Sequence, residues 1–164
     1  MTVSIPYIQG DEEALLQARL VEELSSTGIF TCVQNGGNYS LAVKFLSEEL
    51  ERIGFRYDRD NPSGRKEKNL LGVESRRKAT IEVSLLDAAT QKTVVGPFLV
   101  RANVDFDYTD PGSPRDLLFA NRMPTMQFSL GQLDSSEGAF DDSMRPLTRK
   151  LAQEAAQILQ EKMR

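Results

Sequence analysis

The sequence predicts an α+β fold: a two-layer sandwich, two amphipathic helices on one face of a mainly antiparallel sheet, in the order β-α-β-β-β-β-α. Three observations carry that expectation. Residues 78–85 (Lys-Ala-Thr-Ile-Glu-Val-Ser-Leu) and 98–106 place apolar side chains on alternate positions, the period of a strand with one buried and one wet face. The polar link between them, residues 87–92, has the length of a hairpin loop, so residues 70–108 form a long two-stranded ribbon. Two other stretches repeat apolar residues at helical spacing, and each must bury that stripe against something; the ribbon is the surface available.

Taken in order, residues 2–8 read as a strand with Val3, Ile5 and Tyr7 on one face, and Pro6 confines it to an edge or a strand end. Asp11 is the expected cap of the first helix, with Glu12 and Glu13 at the positive end of the helix dipole. Ala14, Leu15, Ala18, Val21 and Leu24 form its expected apolar stripe, and Gly28 suits the left-handed position after it. Residues 29–33 make a second strand, followed by a turn at Gln34-Asn35-Gly36-Gly37-Asn38. Tyr39, Leu41, Val43 and Phe45 begin a third strand; Ile53, Phe55 and Tyr57 resume its alternation after an expected bulge near Ser47 and a kink at Gly54.

Residues 58–69 are charged, carry Pro62 and Gly64, and are expected to form a mobile loop. After the ribbon, Asp110-Pro111-Gly112 reverses the chain into an irregular connection over 109–140. Asp141-Asp142-Ser143 is expected to open the last helix, with Pro146 in its first turns and Leu147, Leu151, Ala152, Ala155, Ile158 and Leu159 as its buried stripe. At 164 residues the chain is of single-domain size, 1–164.

Composition removes whole classes of chemistry. There is no histidine, which excludes Ser-His-Asp hydrolysis, Cys-His proteolysis and histidine-ligated zinc. A single cysteine, Cys32, allows no intrachain disulfide and reads as a small hydrophobe of a strand. A net charge of −4 argues against a broad nucleic-acid-binding surface. No apolar run reaches the roughly 20 residues of a membrane-spanning helix, and Met1 to Pro6 lacks the basic and apolar regions of a secretory signal. The carboxylates from Asp105 to Asp110 superficially match a calcium loop, but Asp110 stands where the sharp turn needs glycine and Asp116 where glutamate is usual. Gly36-Gly37 lacks the spacing of a phosphate loop. No catalytic, cofactor or metal site is expected.

Two basic clusters remain: Arg65, Lys66 and Lys68 in the expected loop, and Arg76, Arg77 and Lys78 at the start of the ribbon. Guanidinium and ammonium groups gathered in an acidic protein can bind phosphate or carboxylate through charge-assisted hydrogen bonds. The alternative is that they solubilise the surface and discourage edge pairing.

The opening Val3-Ser4-Ile5-Pro6-Tyr7-Ile8, the helix ending Leu20-Val21-Glu22-Glu23-Leu24, Thr27-Gly28-Ile29-Phe30, Tyr39-Ser40-Leu41, the long ribbon and the terminal Leu147-Thr148-Arg149-Lys150-Leu151-Ala152 together give a pattern that resembles the lipopolysaccharide-assembly lipoprotein family (LptE-like). The resemblance covers most of the chain. It implies a non-enzymatic outer-membrane lipoprotein on the periplasmic face, partnered with a β-barrel protein and touching lipopolysaccharide. Membrane association would then come from an acylated cysteine expected upstream of Met1. Under that reading Arg76, Arg77 and Lys78 are the best candidates for anionic-lipid contact, and replacing all three with glutamate is expected to weaken lipid binding without unfolding the domain. An adaptor lipoprotein of another envelope or secretion complex, or a small cytosolic ligand-binding domain or enzyme, are the alternatives; the last requires a deep pocket with convergent polar groups.

Overall fold

The structure, a computed structural model, describes residues 1–11, 13–59, 65–108 and 136–163. Its elements are β1 (Thr2–Ser4), α1 (Leu15–Ser26), β2 (Thr31–Val33), β3 (Tyr39–Arg59), β4 (Lys66–Asp87), β5 (Thr93–Asp107) and α2 (Ser136–Lys162). This is the expected α+β sandwich. The five strands form one sheet in the order β2-β1-β3-β4-β5. The antiparallel β3-β4-β5 meander is its bulk, while β1 runs parallel to both neighbours, pairing Val3 with Cys32 of β2 and with Tyr39 of β3. The chain divides into two compact units, one of Met1–Glu49, Lys78–Asn103 and Met144–Arg164, the other of Leu50–Arg77 and Val104–Ser143.

The first unit holds the main core. Leu16, Leu20 and Leu24 of α1, Ile81, Val83 and Leu85 of β4, and Leu147, Leu151 and Leu159 of α2 are all fully buried, which gives both helices a common sheet face to cover. The α1 stripe differs from expectation: Leu16, Leu20 and Leu24 lie inward, whereas Ala18 and Val21 are exposed. The rotation follows from anchoring at the helix start. Asp11, itself buried, accepts hydrogen bonds from the backbone N–H of Leu16 (3.1 Å) and Gln17 (2.8 Å), and the Gln17 amide donates to the Ile5 carbonyl at 2.8 Å. Asp11 therefore satisfies orphan helix donors as expected, from further back than a regular N-cap. Gly28 takes a φ of +71° just past the helix, the left-handed role assigned to it.

β1 ends at Ser4, before Pro6, and Tyr7 is exposed while Ile5 and Ile8 are buried; the strand is shorter than 2–8 and sits inside the sheet. β3 is continuous through Ser47 and Gly54. Gly54 is needed there for another reason, because a Cβ would stand 2.5 Å from the Cβ of Glu74 on β4. The expected 58–69 loop is narrower: Asp58 and Arg59 finish β3, β4 starts at Lys66, and 60–64 lie outside the described residues. Both strands extend into the polar composition that suggested a loop. The hairpin closes as expected, with Asp87 N–H donating to the Lys92 carbonyl at 2.9 Å. Asp87 also accepts from the N–H groups of Ala89 and Thr90 and from the Thr90 hydroxyl. Those bonds, the Thr90 pair above all, hold its carboxyl below the ordinary aspartate range.

α2 begins at Ser136, earlier than Asp141, so Pro146 falls well inside the helix. The helical pattern before Asp141 is weak in sequence because Gly138 interrupts it, and Ala139 is the buried apolar residue there. Of the expected irregular connection 109–140, residues 136–140 are helical and 109–135 lie outside the described residues. Among the described residues no helix is long and apolar enough to cross a membrane.

Candidate functional site

The inward and outward alternation of β4 decides what its basic residues can do. Positions 75, 77, 79, 81, 83 and 85 are buried, and the even positions between them are partly exposed. Arg76, Arg77 and Lys78 consequently do not form one patch. The Arg76 guanidinium makes a two-pronged bond to Asp105 of β5, Nε to Oδ1 at 2.7 Å and a terminal nitrogen to Oδ2 at 2.8 Å. That hydrogen bonding, added to the carboxylate's charge, raises the Arg76 pKa above its ordinary value. Pairing with Asp105 also takes up the first carboxylate of the calcium-like stretch; Asp110 and Asp116 lie outside the described residues.

Arg77 is only 4% exposed. It donates to the Phe140 carbonyl (2.8 Å) and the Ser143 hydroxyl (3.3 Å) of α2, and its guanidinium carbon sits 3.7 Å from the centre of the Phe140 ring. This is a structural brace built from hydrogen bonds and a cation–π contact. The expectation that glutamate could replace Arg77 without unfolding is therefore corrected: the change would bury a carboxylate against a carbonyl. Arg65 is exposed at the start of β4, and the side chains of Lys66 and Lys68 lie outside the described residues.

Lys78 belongs to the first unit, where it lines a depression of about 430 Å³ with Ser47, Glu49, Thr80, Arg101 and Asn103. A second depression, about 370 Å³, shares Arg101 and Asn103 and adds Lys150, Gln153 and Glu154 of α2. The Lys150 ammonium donates to the Asn103 carbonyl at 2.9 Å, which covers part of the outer edge of β5 and brings a third cation beside Arg101. Lys78, Arg101 and Lys150 are thus the cations that this unit gathers. Arg101 and Lys150 were not legible as a cluster because they lie 49 residues apart in sequence; the odd, outward phase of β5 around Arg101 was the signal that could have found half of it.

The second unit contains a cavity of about 680 Å³, lined by Leu50 and Arg52 of β3, Gly72 and Ser75 of β4, Phe106 and Tyr108, and Ser136, Glu137, Phe140 and Asp141 of α2. Its wall is aromatic: the Phe106 ring lies 6.2 Å from Tyr108 and 6.4 Å, edge to face, from Phe140. Sequence reading missed it, since its rings come from a strand end and a helix start. Cys32 is half-buried with its thiol facing the Val21 carbonyl at 3.7 Å. Among the described residues no three acidic or cysteine side chains gather as metal ligands.

The fold has relatives of known structure. The minor lipoprotein from Acinetobacter baumannii superposes with a TM-score of 0.56 at 12% identity, over 99% of this chain and 92% of that one. The rare lipoprotein B from Shewanella oneidensis gives 0.41 at 14% identity, over 99% and 93%. At such identities the first likeness establishes a shared fold. No protein-family model and no curated protein matches the sequence.

Proposed function

We propose that this chain is a non-enzymatic outer-membrane lipoprotein of lipopolysaccharide assembly, acting on the periplasmic face beside a β-barrel partner and meeting anionic head groups through Lys78, Arg101 and Lys150. The observation that carries the envelope assignment is the fold it shares, along nearly its whole length, with the Acinetobacter baumannii lipoprotein. The sequence resemblance to the LptE-like family narrows that reading to lipopolysaccharide. The head-group assignment is supported by the two adjoining depressions that share Arg101. Arg76 leaves the contact set because a carboxylate, Asp105, already neutralises it through a two-pronged pair, and Arg77 because it is buried against α2.

The test is sedimentation of the full chain with vesicles that contain lipopolysaccharide, against vesicles of neutral lipid alone. The K78E/R101E variant is expected to lose most of the lipopolysaccharide-dependent binding while keeping its circular dichroism. Wild-type chain that binds both vesicles equally, or a variant that binds like wild type, would sink the head-group assignment. Failure of a large β-barrel protein to co-purify with the chain after cross-linking in cells would remove the partner.

A further inference from the structure

The cavity of the second unit has a polar organisation that the proposed function does not use. Above Gly72 two donors converge: a Cβ there would lie 2.8 Å from the Tyr108 hydroxyl oxygen, 3.5 Å from Cδ of Arg52 and 3.9 Å from its Nε. Glycine therefore lets the phenol and the guanidinium arm close over the β4 backbone together, a pairing of donors suited to a phosphate oxygen. From α2, Glu137 and Asp141 line the same cavity one helical turn apart, the spacing that puts two side chains on one helix face. Among the described residues neither carboxylate has a hydrogen-bond or ion-pair partner, and both are exposed. Leu50 and the rings of Phe106, Tyr108 and Phe140 supply the apolar wall, and Arg77, stacked on Phe140, fixes that ring from outside the lining. A volume near 680 Å³ falls in the range of small-molecule sites.

We propose that this cavity binds a zwitterionic amphiphile, with its phosphate on Arg52 and Tyr108, its ammonium on Glu137 and Asp141, and its hydrocarbon chain against the rings. This site is independent of the Lys78–Arg101 surface, so either can fail alone. Arg52 without the acids would favour a simple phosphate ester, and the acids without Arg52 a simple amine. Both signs lining one apolar cavity select a head group carrying both.

Three octyl-chain compounds, bearing phosphocholine, phosphate or trimethylammonium heads, would be titrated into the full chain below their micelle concentrations. Binding is followed by the amide shift of Gly72. The phosphocholine compound is expected to bind most tightly, by about tenfold, the loss that goes with one missing charge-assisted hydrogen bond. R52Q should erase its advantage over the ammonium compound but keep its advantage over the phosphate. E137Q/D141N should do the reverse. Equal affinity for all three heads, tighter binding of either singly charged compound, no saturable shift, or variants that leave the order unchanged would each overturn the proposal.

Discussion

A guanidinium on the inward side of a strand persists only where its donors are met, and Arg77 meets that condition through Phe140 and Ser143 of α2. Its neighbour Arg76, with about a third of its side chain exposed, pairs with Asp105 in a setting that water and salt screen. The two should respond differently to truncation. R77M is expected to destabilise the protein by about 2 kcal/mol or more, because buried acceptors lose a charged donor, whereas R76M should shift the urea midpoint little and less still at high salt. Equal midpoints for the two variants would contradict the brace. Asp87 offers a test with pH. Its folded pKa lies below the unfolded one, so the unfolded chain takes up the proton first as pH falls. Its stabilising contribution is complete above about pH 4, near the ordinary aspartate value, and disappears as pH drops through the lowered folded value. D87N should therefore be less stable than wild type near neutrality and should lose the least stability on acidification across that window; parallel acid titrations for the two proteins would rule this out.

At the scale of elements, what was legible followed the strength of the periodicity. The alternation over 78–85 gave β4 its correct inward face, and the same phase carried back one residue puts Arg77 inside, although its charge argued for the surface. In α1 two leucine-bearing stripes were available, and the choice between them depended on Asp11 and Gln17 tying the helix start to preceding backbone, contacts with no signature in spacing. The start of α2 was hidden because its first turns bury little beyond Ala139. The face of α1 can be read experimentally. L20A should cost about 2–5 kcal/mol as a large-to-small change in a packed core, while V21A, at a residue 40% exposed, should cost well under half as much. Comparable losses at both positions would restore the stripe through Val21.

For the molecule as a whole, the two units carry different chemistry from one continuous set of strands. The fold class was legible because it depends on which residues alternate; the sites were not, because each collects side chains from segments far apart in sequence, Lys78 with Arg101 and Lys150 in one unit, Arg52 with Tyr108 and Glu137 in the other. Net charge now separates a local contact from a general one. At −4 the whole chain is repelled by an anionic membrane, so any attraction must come from a place where cations outnumber acids. Binding to lipopolysaccharide vesicles should then weaken as salt rises and the Debye length shrinks from about 10 Å at 0.1 M to about 3 Å at 1 M. A charge-matched comparison completes the argument. K78E/R101E and K44E/K92E change the net charge by the same amount, and Lys44 and Lys92 are exposed positions outside both depressions. Only the first pair should abolish the salt-sensitive binding; equal loss in both would mean that overall charge, and not the Lys78–Arg101 surface, governs the encounter with the membrane.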